Sequence, residues 1–276
     1  MPPGISPMKD DSKDPIPMLV LGPKLFYEQV FSASLKKNFA FSYCNHRGFS
    51  ENPHSIPSAY GTLQEIVVEI EEFIQQNSLK DFLIFGHSGH AYMALEYAKS
   101  FPEKVRGLIL CACSPDLSPN THQKAEVYFQ HQAEEIRKDC FAKDMSELGA
   151  KIQQDPLGRF KHFVLSQKAK NWYDLNFDPS FLWEGVPTHL PTLDFVWGKL
   201  FAAYQLKTGL EKVVCPVLML QGKYDFAVGP FSLWNDFLPH FSNLHVKILS
   251  ESGHYPMLEQ PEEFDEELLT WKKIGF

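Results

Sequence analysis

The chain has 276 residues, 44% of them hydrophobic and 22% charged, with 26 Lys and Arg against 34 Asp and Glu for a formal net charge of −8. So long and apolar a chain can offset its ordering entropy with a large core, which excludes disorder, and its acidic balance lacks the basic stripe of a nucleic-acid binder. No apolar run approaches the roughly 18 residues of a spanning helix, residues 1–15 carry no leader-like apolar stretch, and five cysteines in this length make no disulfide framework, so the expectation is a cytoplasmic globular protein without membrane partners.

Residues 1–15 are polar and Pro-rich and read as a loose arm. Ile16–Leu21 is an apolar run of strand length, ended by Gly22-Pro23, and Phe39–Tyr43 is a second. A loop with Asn45, Arg47, Gly48, Asn52, Pro53 and Pro57 follows. From Leu63, apolar residues recur at Ile66, Val67, Ile70, Phe73 and Ile74, the spacing of one face of a helix, with Glu65, Glu69, Glu71 and Glu72 on the other. A strand at Phe82–Phe85, a helix from His90 to Ser100 that stops before Pro102, and a strand at Val105–Cys111 complete an alternating pattern, the pattern of a parallel α/β sheet.

The period then changes. From Thr121 to Lys207 the sequence is helical and aromatic-rich, with helical stretches at His122–Gln154, Phe160–Tyr173 and Leu193–Leu206. Strands return at Val214–Gln221 and His245–Leu249, with a helix between them near Phe231–Phe241, and a helix at Glu262–Lys273 closes the chain. A helical block set between two strands of one sheet reads as a cap, residues 116–209, over a core made of residues 16–115 and 210–276.

Chemistry concentrates at Phe85-Gly86-His87-Ser88-Gly89-His90. A serine in a tight turn between an apolar strand and a helix is lifted clear of the sheet, beside N–H groups that can stabilise an oxyanion. Here the chain resembles the α/β-hydrolase family and its nucleophile elbow. Gln221-Gly222-Lys223-Tyr224-Asp225 resembles the strand end that delivers the family's catalytic acid, and Ser252-Gly253-His254 resembles its histidine loop. The order Ser88, Asp225, His254 is the family order, and all three follow strands, where groups converge on one edge of a parallel sheet. The loop Asn45–Ser50 is similar to the family's Asp-x-Arg-Gly-x-Gly loop, and the stretch ahead of Ile16 is too short for a full opening β-hairpin.

The resemblance implies an α/β-hydrolase fold and a cofactor-free, metal-free serine hydrolase acting on a small-molecule ester or amide. Ser88 would attack, His254 would carry the proton and Asp225 would orient His254, with Asp116 as a rival acid. The backbone N–H of Gly89 would be one oxyanion donor. The other would come from the loop after Leu21, where Pro23 has no N–H, leaving Gly22, with Lys24 and Leu25 in reserve. His90 stands where relatives carry a small residue, so its ring must alter the helix packing or turn toward the pocket. The cap and the Gly86–Pro102 segment resemble proline iminopeptidase-like members, which makes an aminopeptidase the second reading. Its ammonium-binding carboxylate would be Glu134, Glu135 or Glu184. A non-catalytic ligand receptor on the same fold is the third.

Overall fold

A computed structural model describes residues 14–50 and 60–275. Most of the 1–15 arm, together with Asn52, Pro53 and Pro57, lies outside the described residues. Six strands, β1 (Ile16–Leu21), β2 (Phe39–Cys44), β3 (Phe82–His87), β4 (Val105–Cys111), β5 (Val217–Gly222) and β6 (Leu244–Leu249), form one sheet in the order β2-β1-β3-β4-β5-β6. Every pairing is parallel. β1 is the first strand among the described residues.

Alternation along the strands divides the core in two. Leu19, Leu21, Ile84, Leu108 and Leu110 point to the face covered by α3 (Leu63–Gln76) and α4 (His90–Ser100). Met18, Val20, Leu83, Phe85 and Ile109 point to the other, covered by α1 (Lys24–Val30), α2 (Ala33–Asn38) and a C-terminal helix at Pro261–Gly275. With both faces buried, these strands are near-continuous apolar runs, which made them readable in the sequence. The chain leaves β1 for β2 on one side and then returns to β3 on the other, so the loops after β1 and β3 diverge. A crevice at such a reversal is where parallel sheets bind ligands.

Several elements depart from the sequence reading. α1 and α2 were not apparent there: at seven and six residues neither shows a full period, and tertiary packing of Phe26, Tyr27, Val30 and Leu35 holds them. The helix expected over Phe231–Phe241 is instead two isolated 3₁₀ turns, Phe231–Trp234 and Leu238–His240. Pro239 has no N–H to continue a helix and blocks it. β5 begins at Val217, three residues late, because Pro216 cannot donate to a ladder. The expected 122–154 helix is split into α5 (Pro119–Gln132) and α6 (Glu135–Gln154), and no Gly or Pro marks the break.

Between β4 and β5 the insertion continues with α7 (Arg159–Ser166), α8 (Lys168–Asn171) and α9 (Leu190–Phe195), the last running into a π-helical turn at Val196–Phe201. Two helices follow in the final segment, the short α10 (Pro256–Glu259) and the 15-residue α11 (Pro261–Gly275). The insertion is organised by one buried cation. Arg137 of α6 donates to the carbonyls of Ala169 (2.9 Å), Trp172 (2.6 Å) and Tyr173 (2.6 Å), satisfying the C-terminal end of α8 that would otherwise lack partners. Arg137→Met should therefore leave three carbonyls without this donor, those of Ala169 and Trp172 buried and that of Tyr173 partly buried. We expect urea denaturation to report a loss on the order of 2–4 kcal/mol.

Candidate active site

The turn after β3 places Ser88 at φ +56°, a left-handed conformation rare for a residue with a side chain. It is held there by the Ser88 N–H donating to the Cys111 carbonyl at 2.9 Å. Gly86 is obligatory. A Cβ on it would stand 2.6 Å from both the Ala91 Cα and the His90 carbonyl oxygen, so the close approach of helix to strand is kept through Ala91. His90, one residue earlier, is thereby released to turn its ring toward the pocket. The Gly89 N–H has no acceptor among the described residues and sits at the start of α4, where the helix dipole favours negative charge.

Asp225 follows β5 and is 0% exposed. One carboxylate oxygen accepts from the N–H groups of Ala227 (3.1 Å) and Val228 (3.2 Å), and the other lies 2.8 Å from His254 Nδ1. That bond fixes the proton on Nδ1 and leaves Nε2 as an acceptor. The rival, Asp116, is engaged elsewhere: its carboxylate accepts from the Ser118 N–H and the Thr121 hydroxyl at the start of α5. Asp225 is the acid that meets His254.

The His254 loop has three further ties. Its N–H donates to the Asn171 carbonyl at the end of α8 (2.6 Å), and its carbonyl accepts from His87 Nε2 (2.7 Å). His87 must then accept the Tyr27 hydroxyl on Nδ1, 3.1 Å away. Burial, reinforced by the neighbouring His254, holds His87 well below the ordinary imidazole range and thus neutral. Glu259 accepts from the N–H groups of Gly253 (2.8 Å) and Tyr255 (3.4 Å) on one oxygen and of Tyr173 on the other. Burial pushes its carboxyl up to about 7 against the pull of these three donors. No local pattern in the chain singles out Glu259, Asn171 or Tyr27.

On the far side of Ser88 the structure corrects the expected donor. The Gly22 N–H donates to the Cys44 carbonyl at 3.0 Å as part of the β1–β2 pairing, so it cannot face an oxyanion. The first reserve, Lys24, gives its N–H to the Asn45 side chain at 2.8 Å. Leu25 is 39% exposed and does not line the pocket.

Ser88, Gly89 and His254 open into a cavity of about 660 Å³ between the sheet edge and the insertion. Of the fourteen aromatic residues in 116–209, Phe160, Phe163, Trp183 and Trp197 line it, while others, such as Phe129, pack away from it, Phe129 against Phe141 and Phe226. None of Glu134, Glu135 and Glu184 reaches it; all three are exposed. The carboxylates that do reach it, Glu126 and Asp194, were not apparent in the sequence because nothing marks which face of an inserted helix looks inward. Each is already paired, Glu126 with Lys170 (2.6 Å) and Asp194 with Arg159 (2.7 Å). Among the described residues no cluster of His, Cys, Asp and Glu could hold a metal ion, and no helix is long and apolar enough to cross a membrane. All five cysteines are unpaired.

This arrangement of sheet, elbow and His–Asp pair is that of a hydrolase. The chain belongs to the alpha/beta hydrolase fold family, whose model matches residues 19–261. It is 36% identical over 255 residues to the AB hydrolase superfamily protein YclE of Bacillus subtilis, covering 92% of this chain and 91% of that protein. It is 23% identical over 271 residues to a proline iminopeptidase of Heyndrickxia coagulans, covering 92% and 90% of the two chains. Among solved structures, an esterase from Exiguobacterium antarcticum superposes with a TM-score of 0.65 at 20% identity, covering 95% of this chain and 93% of that one.

Three buried histidines at this site set the response to acid. Burial lowers His46 to about 3, and His87 and His90 lie well below the ordinary 6.5. Their folded-state pKa values are depressed, so the unfolded chain takes up protons first, and stability present above pH 6.5 is lost as pH falls toward 3. Each contributes a slope of up to about 1.4 kcal/mol per pH unit. Glu259 works in the opposite sense between 4.5 and 7, so the clean measurement is a difference. Urea unfolding of His46→Asn should show a pH slope between 6 and 4 shallower than that of the wild type by about one such contribution.

Proposed function

We propose that the chain is a serine hydrolase that cleaves a small, neutral carboxylic ester through an acyl-serine intermediate, with Ser88, His254 and Asp225 as its triad and residues 116–209 as a cap that selects the substrate. The observation that carries this reading is the 2.8 Å His254–Asp225 bond at a pocket whose wall also holds Ser88 on its strained elbow. His254 Nε2, left as an acceptor, takes the Ser88 proton as Oγ attacks the carbonyl carbon, and returns it to the departing alkoxide. Asp225 holds the tautomer and offsets the imidazolium charge. A water molecule repeats the sequence on the acyl-serine and releases the acid. The aromatic lining suits an apolar acyl or aryl group, because such pockets gain chiefly from apolar contact with few polar anchors.

A second reading, an aminopeptidase, draws support from the proline iminopeptidase relative and from Glu126 and Asp194 in the pocket wall. The existing ion pairs of both carboxylates weigh against it, since a substrate ammonium would have to displace Lys170 or Arg159.

A fluorophosphonate probe should label wild-type protein at Ser88 and leave Ser88→Ala unlabelled; an unlabelled wild type would refute the nucleophile. Asp225→Asn should lower turnover by about 10⁴, whereas Asp116→Asn should change it little. For substrate class, kcat/KM for short-chain p-nitrophenyl esters should exceed that for prolyl-arylamide. A tenfold preference for the arylamide, abolished in Glu126→Gln or Asp194→Asn, would establish the aminopeptidase instead.

A further inference from the structure

A tetrahedral intermediate places a full negative charge on the former carbonyl oxygen, and acyl transfer is fast where at least two preorganised donors meet that charge. The backbone here offers one, the Gly89 N–H. The loop after β1 offers none to the pocket: the Gly22 N–H is spent on Cys44, Pro23 has no N–H, Lys24 is spent on Asn45, and Leu25 lies outside the lining. Pro23 itself lines the cavity, so the residue of this loop that borders the cavity cannot donate.

The same place holds an unused donor. His90 is 5% exposed, its ring forms part of the cavity wall, and both ring nitrogens are buried just behind that wall without a hydrogen-bond partner. Its ring lies against Gly22, where an added Cβ would stand 2.9 Å from Cε1 and 3.1 Å from Nε2. Gly22, at φ +121°, leaves the room that this ring fills. Trp197 packs on His90 edge to face at 5.5 Å, with Phe49 at 5.8 Å and His46 at 5.3 Å between centroids. Burial first, then His46 and His87, keep the imidazole neutral; the His87 carbonyl opposes this but does not reach hydrogen-bonding geometry. A buried ring with two unsatisfied nitrogens is costly unless something else completes it.

We infer that His90 supplies from its side chain the second oxyanion donor that Pro23 cannot supply from the backbone, so that its neutral imidazole N–H and the Gly89 N–H together hold the charge. The inference rests on the assignment of Ser88 as nucleophile. As the Ser88 Oγ–carbon bond forms, the carbonyl π pair moves onto oxygen and the serine proton moves to His254. The oxyanion accepts hydrogen bonds from Gly89 and His90 without taking a proton. When the pair returns, the bond to the leaving group breaks and that group takes the proton from His254. A neutral imidazole is the suitable electrophile because it gives a hydrogen bond and retains its proton.

The test compares wild type, His90→Phe and His90→Gln on p-nitrophenyl acetate and measures the affinity of each for an alkyl trifluoromethyl ketone, which forms a tetrahedral adduct on the nucleophile. His90→Phe should lose about 10²–10³ in kcat with KM little changed, and lose ketone affinity by a matching factor. His90→Gln, which keeps an N–H, should recover at least tenfold over His90→Phe (on the order of one hydrogen bond to a charge). In ¹⁵N-histidine spectra of the wild type, the protonated His90 nitrogen should shift on ketone addition. The inference is overturned if His90→Phe keeps kcat within threefold of wild type, if a loss in kcat comes without a loss in ketone affinity, or if the His90 resonance does not move. In each of those cases fluorophosphonate labelling of Ser88 would still stand. A wild type that is neither labelled nor active would instead remove the nucleophile, and this inference with it.

Discussion

The hydrogen bond from the His254 N–H to the Asn171 carbonyl is the tie on which the site depends. His254 lies on a loop beyond the last strand of the sheet, so no ladder holds its backbone. The holding groups come from elsewhere: a carbonyl from the insertion, a ring nitrogen from β3 through His87, and the Glu259 carboxylate, which also binds Tyr173 of the insertion. Arg137 fixes the carbonyls on either side of Asn171, and so governs at second hand where the imidazole stands. Deleting any one of these groups would leave a buried donor or acceptor unsatisfied, which costs more than the bond itself contributes. The site is thus rigid on the histidine side by mutual satisfaction of polar groups.

The serine side is rigid for a different reason. There the constraint is steric: Gly86 allows Ala91 to approach, the approach sets the start of α4, and the start of α4 forces Ser88 into a left-handed conformation. Displacing the close-packing role from position 90 to position 91 leaves His90 with space and no partner. Gly22 and Pro23 belong to the same arrangement, because any side chain at 22 would collide with the His90 ring or Tyr27.

Much of this was legible in the sequence, and the parts that were not have identifiable causes. Strands buried on both faces announce themselves as apolar runs, so β1, β3, β4 and β5 are legible within a few residues; the edge strands β2 and β6 are only partly buried but still carry enough apolar residues to be found, and α4 is bounded by the elbow and Pro102. Ser88, Asp225 and His254 stood out because their segments resemble the family's elbow, acid-bearing strand end and histidine loop, each just after a strand, and the structure brings Asp225 and not Asp116 to His254. The loop after β1 was misread because whether the Gly22 N–H faces the pocket or Cys44 depends on β2 pairing there, a long-range fact that no local pattern carries. The insertion was read as helical but not as a surface: Glu126 and Asp194, rather than Glu134, Glu135 or Glu184, face inward, and helix orientation inside an insertion is decided by tertiary contacts alone.

β4 and β5 are hydrogen-bonded neighbours, Cys111 opposite Leu220, although about a hundred residues of insertion separate them in the chain. Closing a longer or shorter excursion between two adjacent strands changes the loop entropy only slowly with length, so the sheet itself places little restriction on what is inserted there. The restriction comes from the segment 169–173, which holds the His254 loop. A lineage could exchange the remainder of the insertion to meet a new substrate, but this short stretch has to be inherited with the histidine. Recombination between relatives would then succeed at junctions that keep the pair together and fail at those that part them, although the two lie far apart in the gene.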